Sequence, residues 1–487
     1  MSIRAAALVL ATAVGVAPAR AVPRRELRPA VLHVAAKVGE QLAPRAPDGS
    51  RDAPFQTIAD ALLAAPPGAL IRIGEGTFAE ALLIVRPVAL LGAGPEKTRI
   101  AGVAGARATA VRIRGGVQVE LRDLSIEHAA SGVSAAGGAV RLENVALRSL
   151  EDSALVAKDA QVVFLDGEVV DVGAGRTGVA VEIDGGTLEM RRSSIRSGGR
   201  RAIELRRGRA VLESMDVSHS SLAALQAVDG AEASIEGGRF AWFGGSALYA
   251  GAAKLTVHRA VVSKAEYAVV GFRGARIELR DSEFADTTVA SVGLVRAQGV
   301  LDHCVFARGG TDAAVAITES SGPVRLIGNR IVQPGPLGLH VTHATVVATD
   351  NSIVGAHLDR ERDLGDAIYA VDSDLSLERN ELRENAGSGV TVVRSRLRLR
   401  ENRLVSNARA GLVLLDRSSA SAHQNLFRQN SGPGVQIAER SAATLFGNRF
   451  DGNTAYHVEA VCDGGGTVDV GPGNSFAGTA EPQRRCP

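Results

Sequence analysis

The chain has 487 residues, a formal net charge of +2, 45% hydrophobic residues and only 3% aromatics. The near-neutral balance gives no reason to expect a nucleic acid or another polyanion as partner, and the scarcity of rings excludes a core built on aromatics. Val, Leu, Ile and Ala are left to fill the interior, with 55 glycines for turns, a mixture that suits stacked short strands. Nearly all cations are Arg, with Lys only at Lys37, Lys97, Lys158, Lys254 and Lys264, and clusters such as Arg191-Arg192 and Arg206-Arg207 read as solvated faces.

In chain order, residues 1–21 read as a secretory signal. Arg4 supplies the charged start, Ala5 to Val16 the apolar run, and Ala19-Arg20-Ala21 the small-x-small cleavage pattern. The run is too short for a membrane-spanning helix, and no later stretch is apolar enough to be one. The expected location is therefore secreted or periplasmic, with cleavage after Ala21. Residues 22–50, rich in Pro and Arg, read as a leader or linker, and residues 51–487 as one domain. Ile58 to Ala65 has helical spacing and is stopped by Pro66-Pro67-Gly68. A short helix there would cover the open end of a strand stack, where edges lie unpaired.

From about residue 120 the chain repeats. Leu397-Arg-Leu399-Arg-Glu-Asn402-Arg-Leu404 follows Leu375-Ser-Leu377-Glu-Arg-Asn380-Glu-Leu382, and similar units surround Asn425 and Asn448. Apolar alternation of period two on both sides of one turn position marks strands. The same position falls at Leu124, Val145, Gly167, Ser193, Met215, Gly238, Ala260, Ser282, Cys304, Asn329 and Asn351 in earlier units, and steps of about 22 residues define the repeat. Longer steps precede Ser193, Asn329 and Asn380, and Asn474 falls one place out of register. The fold expected is a parallel β-helix of roughly sixteen coils with three short strands each, about 75 Å long at the usual strand spacing.

The asparagines have a structural reading. Asn tolerates the left-handed backbone of a sharp bend, and stacked Asn amides bond along a cross-β stack. A second ladder is expected at Asn385, Asn407, Asn430 and Asn453, and Cys304, on the first ladder's rung, is expected in the core. At the end of the chain, Cys462 and Cys486 are placed to join the last coil to its tail, or to remain free.

The sequence resembles the pectin-lyase-like superfamily of right-handed β-helices. Two features carry this: the opening order Asp48-Gly49-Ser50, Pro54-Phe55-Gln56-Thr57-Ile58, Gly76-Thr77-Phe78-Ala79-Glu80 and Leu90-Leu-Gly92-Ala-Gly94, and the Asn-x-Leu-x-x-Asn coil. The resemblance covers residues 48 to about 476. It implies a right-handed parallel β-helix with a short amino-terminal capping helix, and a role on polysaccharide, uronate polymers among them. The catalytic motifs do not carry over. Gly466-Thr-Val-Asp469 and Gln226-Ala-Val228 echo pectinesterase motifs without their partners, and the paired-aspartate and Asp-Pro-His-Glu strings of related enzymes are absent.

In that superfamily, sites lie on the outer face of the strand after the second Asn. Here the face carries Thr391, Val393, Val413 and Leu415, mostly apolar, which suits a contact surface or a face covered by loops. Glu182, Glu204, Gln226 and Tyr249 fall on the same face of four successive coils, with Trp242 and Phe243 in the loop before Tyr249. Glu182 and Glu204 are candidates for an acid–base pair, and Gln226, Trp242 and Tyr249 for substrate binding; the alternative is a row of solvated side chains. A second polar stretch, His340, His343 and Tyr369, with His340 and Tyr369 as further catalytic candidates, adjoins an insertion from about Gly355 to Asp366 that contains Asp359-Arg-Glu-Arg-Asp363. Loops added to a rigid stack are where function tends to be placed. His with Asp is also a metal-ligand chemistry, and the other reading stacks His340 on Tyr369 beside a solvated loop. No metal or cofactor is assigned. Two functions remain: a polysaccharide enzyme or binding protein, and a non-catalytic rod that serves as spacer, adhesin or partner platform.

Overall fold

The structure, a computed structural model, describes residues 29–36, 46–103, 106–173, 178–454, 456–461 and 465–484. The expected signal segment and the Cys462–Cys486 pairing lie outside the described residues.

The chain forms a parallel β-solenoid of about eighteen coils, two more than the repeat count suggested, because the coils before Leu124 lack the repeat's signature. A representative coil has three strands, Asp374–Glu378, Glu381–Arg383 and Val390–Val393. The next places Arg396–Arg400, Arg403–Val405 and Leu412–Leu415 directly above them in parallel register. Every second residue points inward. Leu375, Leu377, Leu382, Val390 and Val392 are buried, and Leu397, Leu399, Leu404, Leu412 and Leu414 stack on them. Phe427, Phe450 and Phe476 extend this stacking, with ring centroids 5.0 and 5.1 Å apart.

The helix at the start is Ile58–Ala64, and it buries Ile58 and Ala61. Thr57 caps it by accepting from the Asp60 N–H at 3.0 Å. Glu80, one coil later, receives the Ile58 and Ala59 N–H groups at 2.9 Å each, so the free donors of the first turn are satisfied. The stretch expected to be a leader or linker contributes a strand, Val31–Val34, which pairs with Ala69–Ile73 and extends the sheet by one strand at that end.

The expected turn register holds from Val145↔Leu124 to Phe427↔Phe450. From Asn351 onward, each Asn Oδ1 of this ladder accepts from the N–H and the Nδ2 of the asparagine one coil earlier. Asn402 receives Asn380 at 2.9 and 3.0 Å and donates its own Nδ2 to Leu377 O at 2.8 Å and Asn425 Oδ1 at 3.0 Å. Two expectations are corrected. Asn474 is in register: Arg449 pairs with Ser475, and Asn474 Oδ1 takes the Asn448 N–H at 2.9 Å. The extra residue is absorbed in the Gly471-Pro472-Gly473 turn. The left-handed residue at each bend is also not the asparagine but the one before it, as at Asp350 (φ 58), Arg379 (φ 51), Glu401 (φ 57) and Gln424 (φ 57). The asparagine supplies hydrogen bonds, and its predecessor supplies the bend.

A third ladder was missed in the sequence. Ser373, Ser395, Ser418 and Ser441 line the turn into the first strand, and each of the last three accepts from the N–H of the serine one coil earlier at 3.0 to 3.1 Å. Ser193 and Ser282 do for Gly167 and Ala260 what the asparagines do later, at 3.2 Å. Cys304 is buried on the ladder as expected. It donates its N–H to Asn329 at 2.9 Å, and burial pushes its thiol up to about 11. Arginines pair with acids along the corners: Arg192 with Asp166 at 2.7 Å, Arg379 with Asp350 at 2.8 Å, and Arg394 with both Asp372 (2.8 Å) and Asp416 (3.0 Å).

Candidate functional site

The outward face of the third strands is one continuous column. Glu182, Glu204, Gln226 and Tyr249 are in register on successive coils. Val270, Gly293 and Ala316 follow, then His340, Tyr369, Thr391, Val413 and Gln436. The two polar stretches read from the sequence are therefore two ends of one face, separated by three small or apolar residues.

At the first end, Glu204 is 3% exposed, and its carboxylate is held by Arg201 at 3.1 Å and Arg206 at 2.8 Å. Glu182 lies one coil below it. Two guanidiniums occupy the oxygens that an acid–base partner would use. Tyr249 folds its ring along its own strand over Gly251. Trp242 stacks on His219 (centroids 5.8 Å, 14° between planes) and carries Lys264 Nζ 3.8 Å from its ring centre on the next coil. These three residues hold equivalent left-handed corner positions, so Trp242 is a rung of a corner stack. Phe243 is buried in the core instead of lying in a loop.

At the second end, the Gly355–Asp366 insertion forms a short hairpin. Asp359 and Leu364 bond backbone to backbone at 2.8 and 3.1 Å. The loop is fastened on both sides. Arg362 reaches the carbonyl of Thr311, two coils earlier, and Arg409, two coils later, pairs with Asp363. Held flat along the rod, it walls a groove of about 540 Å³ with Arg362, Asp363 and Leu364 on one side. Tyr369, Thr391, Val413 and Gln436 form the floor, and the turns at Ala408–Ala410 and Ser431–Pro433 complete it. Thr391 and Val413 are buried, which agrees with the expectation of a face covered by loops.

Asp366, Tyr369 and Asp312 are among the groups in or beside this groove with altered acidity. Asp366 is buried where the insertion rejoins the stack, and burial raises its carboxyl above the usual range, although the Ser388 N–H and Thr391 bond to it. Burial raises the Tyr369 phenol too, aided by the neighbouring Asp366 charge. Beyond Tyr369, His340 meets its ring edge-on at 6.0 Å and has Asp312 3.7 Å from Nδ1. Asp312 is lowered by hydrogen bonding to His340, which outweighs its desolvation. His343 lies in the following turn, 3.5 Å from Asp372 and away from the groove. Sequence reasoning found Tyr369, His340 and the insertion. It placed Thr391 and Val413 on this face, and it missed Asp312, Asp366 as a buried acid, Arg409 and Gln436. Among the described residues no group of three metal-ligating side chains converges, and no helix is long and apolar enough to cross a membrane.

Curated protein sequences gave no match. Among solved structures, the chain is similar to an alginate lyase from Paenibacillus sp. str. FPU-7 (13% identity, TM-score 0.38, 53% of this chain and 95% of that one). It is also similar to a mannuronan C-5 epimerase A-module from Azotobacter vinelandii (13%, 0.21, 88% and 93%). A third is the catalytic domain of an α-1,3-glucanase in complex with nigerose (11%, 0.29, 96% and 70%). Similarity of this degree says nothing about activity. A family described as the right handed beta helix region matches residues 177–354 and 313–470. These matches span more than half of the chain, and with the three-strand coils they show that it belongs to the right-handed β-helix family.

Proposed function

We propose that this is an exported polysaccharide-binding β-helix whose ligand lies in the groove beside the Gly355–Asp366 insertion. The observation that carries the reading is the fastened loop, which turns a flat strand face into a walled channel at one place along the rod. Its lining suits a sugar chain: a phenol, a threonine, a glutamine amide, two guanidiniums and a protected carboxyl beside apolar Val413, Leu364 and Leu415. Among the described residues the Tyr369 hydroxyl has no hydrogen-bond partner, so it is free to meet a ligand. Arg362 and Arg409 are already paired with Asp359 and Asp363, which favours a neutral or weakly charged glycan over a dense polyuronide. Export rests on the Arg4 to Ala21 segment of the sequence, and amino-terminal sequencing of protein recovered from cell fractions tests it.

The experiment is a panel of neutral and uronate polysaccharides, scored together for bound polymer and released reducing or unsaturated ends. The expected result is binding that falls at least tenfold in Tyr369→Ala. Turnover lost in Asp366→Asn would add catalysis to the reading. Binding that ignores Tyr369→Ala removes the groove from consideration and leaves the partner-platform reading.

A further inference from the structure

The first strands carry a second concavity, on a sheet the groove does not touch. Lys254, Arg276 and Gln298 occupy one outward column on successive coils. Arg325 stands one coil further on, in register with Val300. At about 4.8 Å per coil, Lys254 and Arg276 are within reach of one ligand. The wall comes from a long turn. Residues 319–323 separate strands Ala313–Thr318 and Val324–Ile327, whereas only residues 296–297 and 343–344 fill the equivalent turns one coil earlier and later. This is the longer step before Asn329 in the repeat. The turn is fixed: Glu319 pairs with Arg296 at 2.6 Å, and Ser320 Oγ accepts the Thr345 N–H at 3.2 Å. Pro323 then borders a hollow of about 370 Å³ with Lys254, Arg276, Gln298 and Arg325 around it.

The charge here is unbalanced, unlike that of the paired corners. Glu278, in the hollow, is taken by Arg280 at 2.5 Å, and Glu232, one coil below Lys254, by Arg209 at 2.8 Å. Among the described residues the side chains of Lys254, Arg276 and Arg325 have no ion-pair or hydrogen-bond partner. Three cations around one hollow, with the nearby acids engaged elsewhere, repel one another until an anion joins them. Guanidinium forks and an ammonium are the donors that tetrahedral and planar oxyanions take. We infer that this hollow binds a sulfate, phosphate or carboxylate group, free or carried on a polymer.

Calorimetric titration of the whole chain with inorganic phosphate, inorganic sulfate and a sulfated oligosaccharide, each against chloride at equal ionic strength, tests it. The expected result is saturable binding of at least one probe, weakened tenfold or more in Arg276→Gln and in Arg325→Gln and unchanged in Arg398→Gln, an exposed arginine of a later first strand. Binding of inorganic phosphate or sulfate alone assigns a free anion; binding of the oligosaccharide alone assigns a polymer-borne one. No saturable binding of any probe, or equal loss in Arg398→Gln, overturns the assignment. Groove variants such as Tyr369→Ala are expected to leave it intact, so the two sites fail independently.

Discussion

Arg409 and Asp363 form an ion pair although 46 positions of sequence separate them. With Arg362 on the Thr311 carbonyl, 51 positions away, this contact fastens the insertion along the rod. Arg409→Ala is expected to speed amide exchange in residues 357–364 by an order of magnitude or more while leaving the coils unchanged. Exposed ion pairs contribute little to global stability, so the melting temperature should barely move. Protection in the loop equal to wild type would mean that the pair does not hold it.

The buried Asn402 side chain makes four ladder bonds. Replacing it with Ala leaves the Asn380 N–H and the Leu377 carbonyl without their partners, and each buried group so stranded costs about 1–3 kcal/mol. Chemical denaturation of Asn402→Ala should show a loss of about 2–4 kcal/mol. Exchange should rise most in the neighbouring coils, since a solenoid's stability is a sum over nearest neighbours. A change under about 0.5 kcal/mol would contradict the ladder's role.

Asp366 is an acid whose folded pKa is raised by burial. Below the ordinary carboxylate range both states are protonated. As pH rises through that range the unfolded chain ionises first, so this group subtracts stability until its raised folded pKa is passed. Asp366→Asn keeps an oxygen for the Ser388 N–H and removes the titration. Its melting temperature should exceed wild type at pH 7 and match it at pH 3; a lower value at pH 7 would show that the charged carboxylate is favoured.

His457 is buried beside Phe450 and Phe476, with Asn453 Nδ2 3.3 Å from its Nδ1. Burial lowers its folded pKa. The neutral ring's contribution is complete above the ordinary histidine range and is lost as pH falls through the lowered value. Amides of Arg449–Asp451 and Ser475–Ala477 should lose protection between pH 7 and pH 5, corrected for intrinsic rates, and His457→Leu should abolish that dependence. Persistence of the dependence in His457→Leu would assign it to another group.

The coil register was legible because inward Leu and Val recur with period two around a fixed turn residue, and it predicted partners as distant as Asn351 and Asn380 across the insertion. The column of Glu182, Glu204, Gln226 and Tyr249 was legible for the same reason. Side-chain chemistry was not. Nothing local to Glu204 says that Arg201 and Arg206 will both turn onto it, nor that Trp242 will spend its faces on His219 and Lys264. Arg409 reads as one more surface arginine until the insertion lies against it. The bend itself was misassigned because Asn is the obvious left-handed residue, whereas Arg379 and Glu401 take that conformation and leave Asn free to bond.

The most direct test of the groove is to compare polysaccharide binding by the native chain with binding by a variant in which residues 357–364 are replaced by a short Gly-Ser link, both shown to keep the β-solenoid by circular dichroism. The groove predicts that a glycan bound by the native chain is lost or weakened at least tenfold when the wall is removed, with the Arg276 hollow unaffected. Equal binding by the two chains would contradict it and place any glycan elsewhere on the rod.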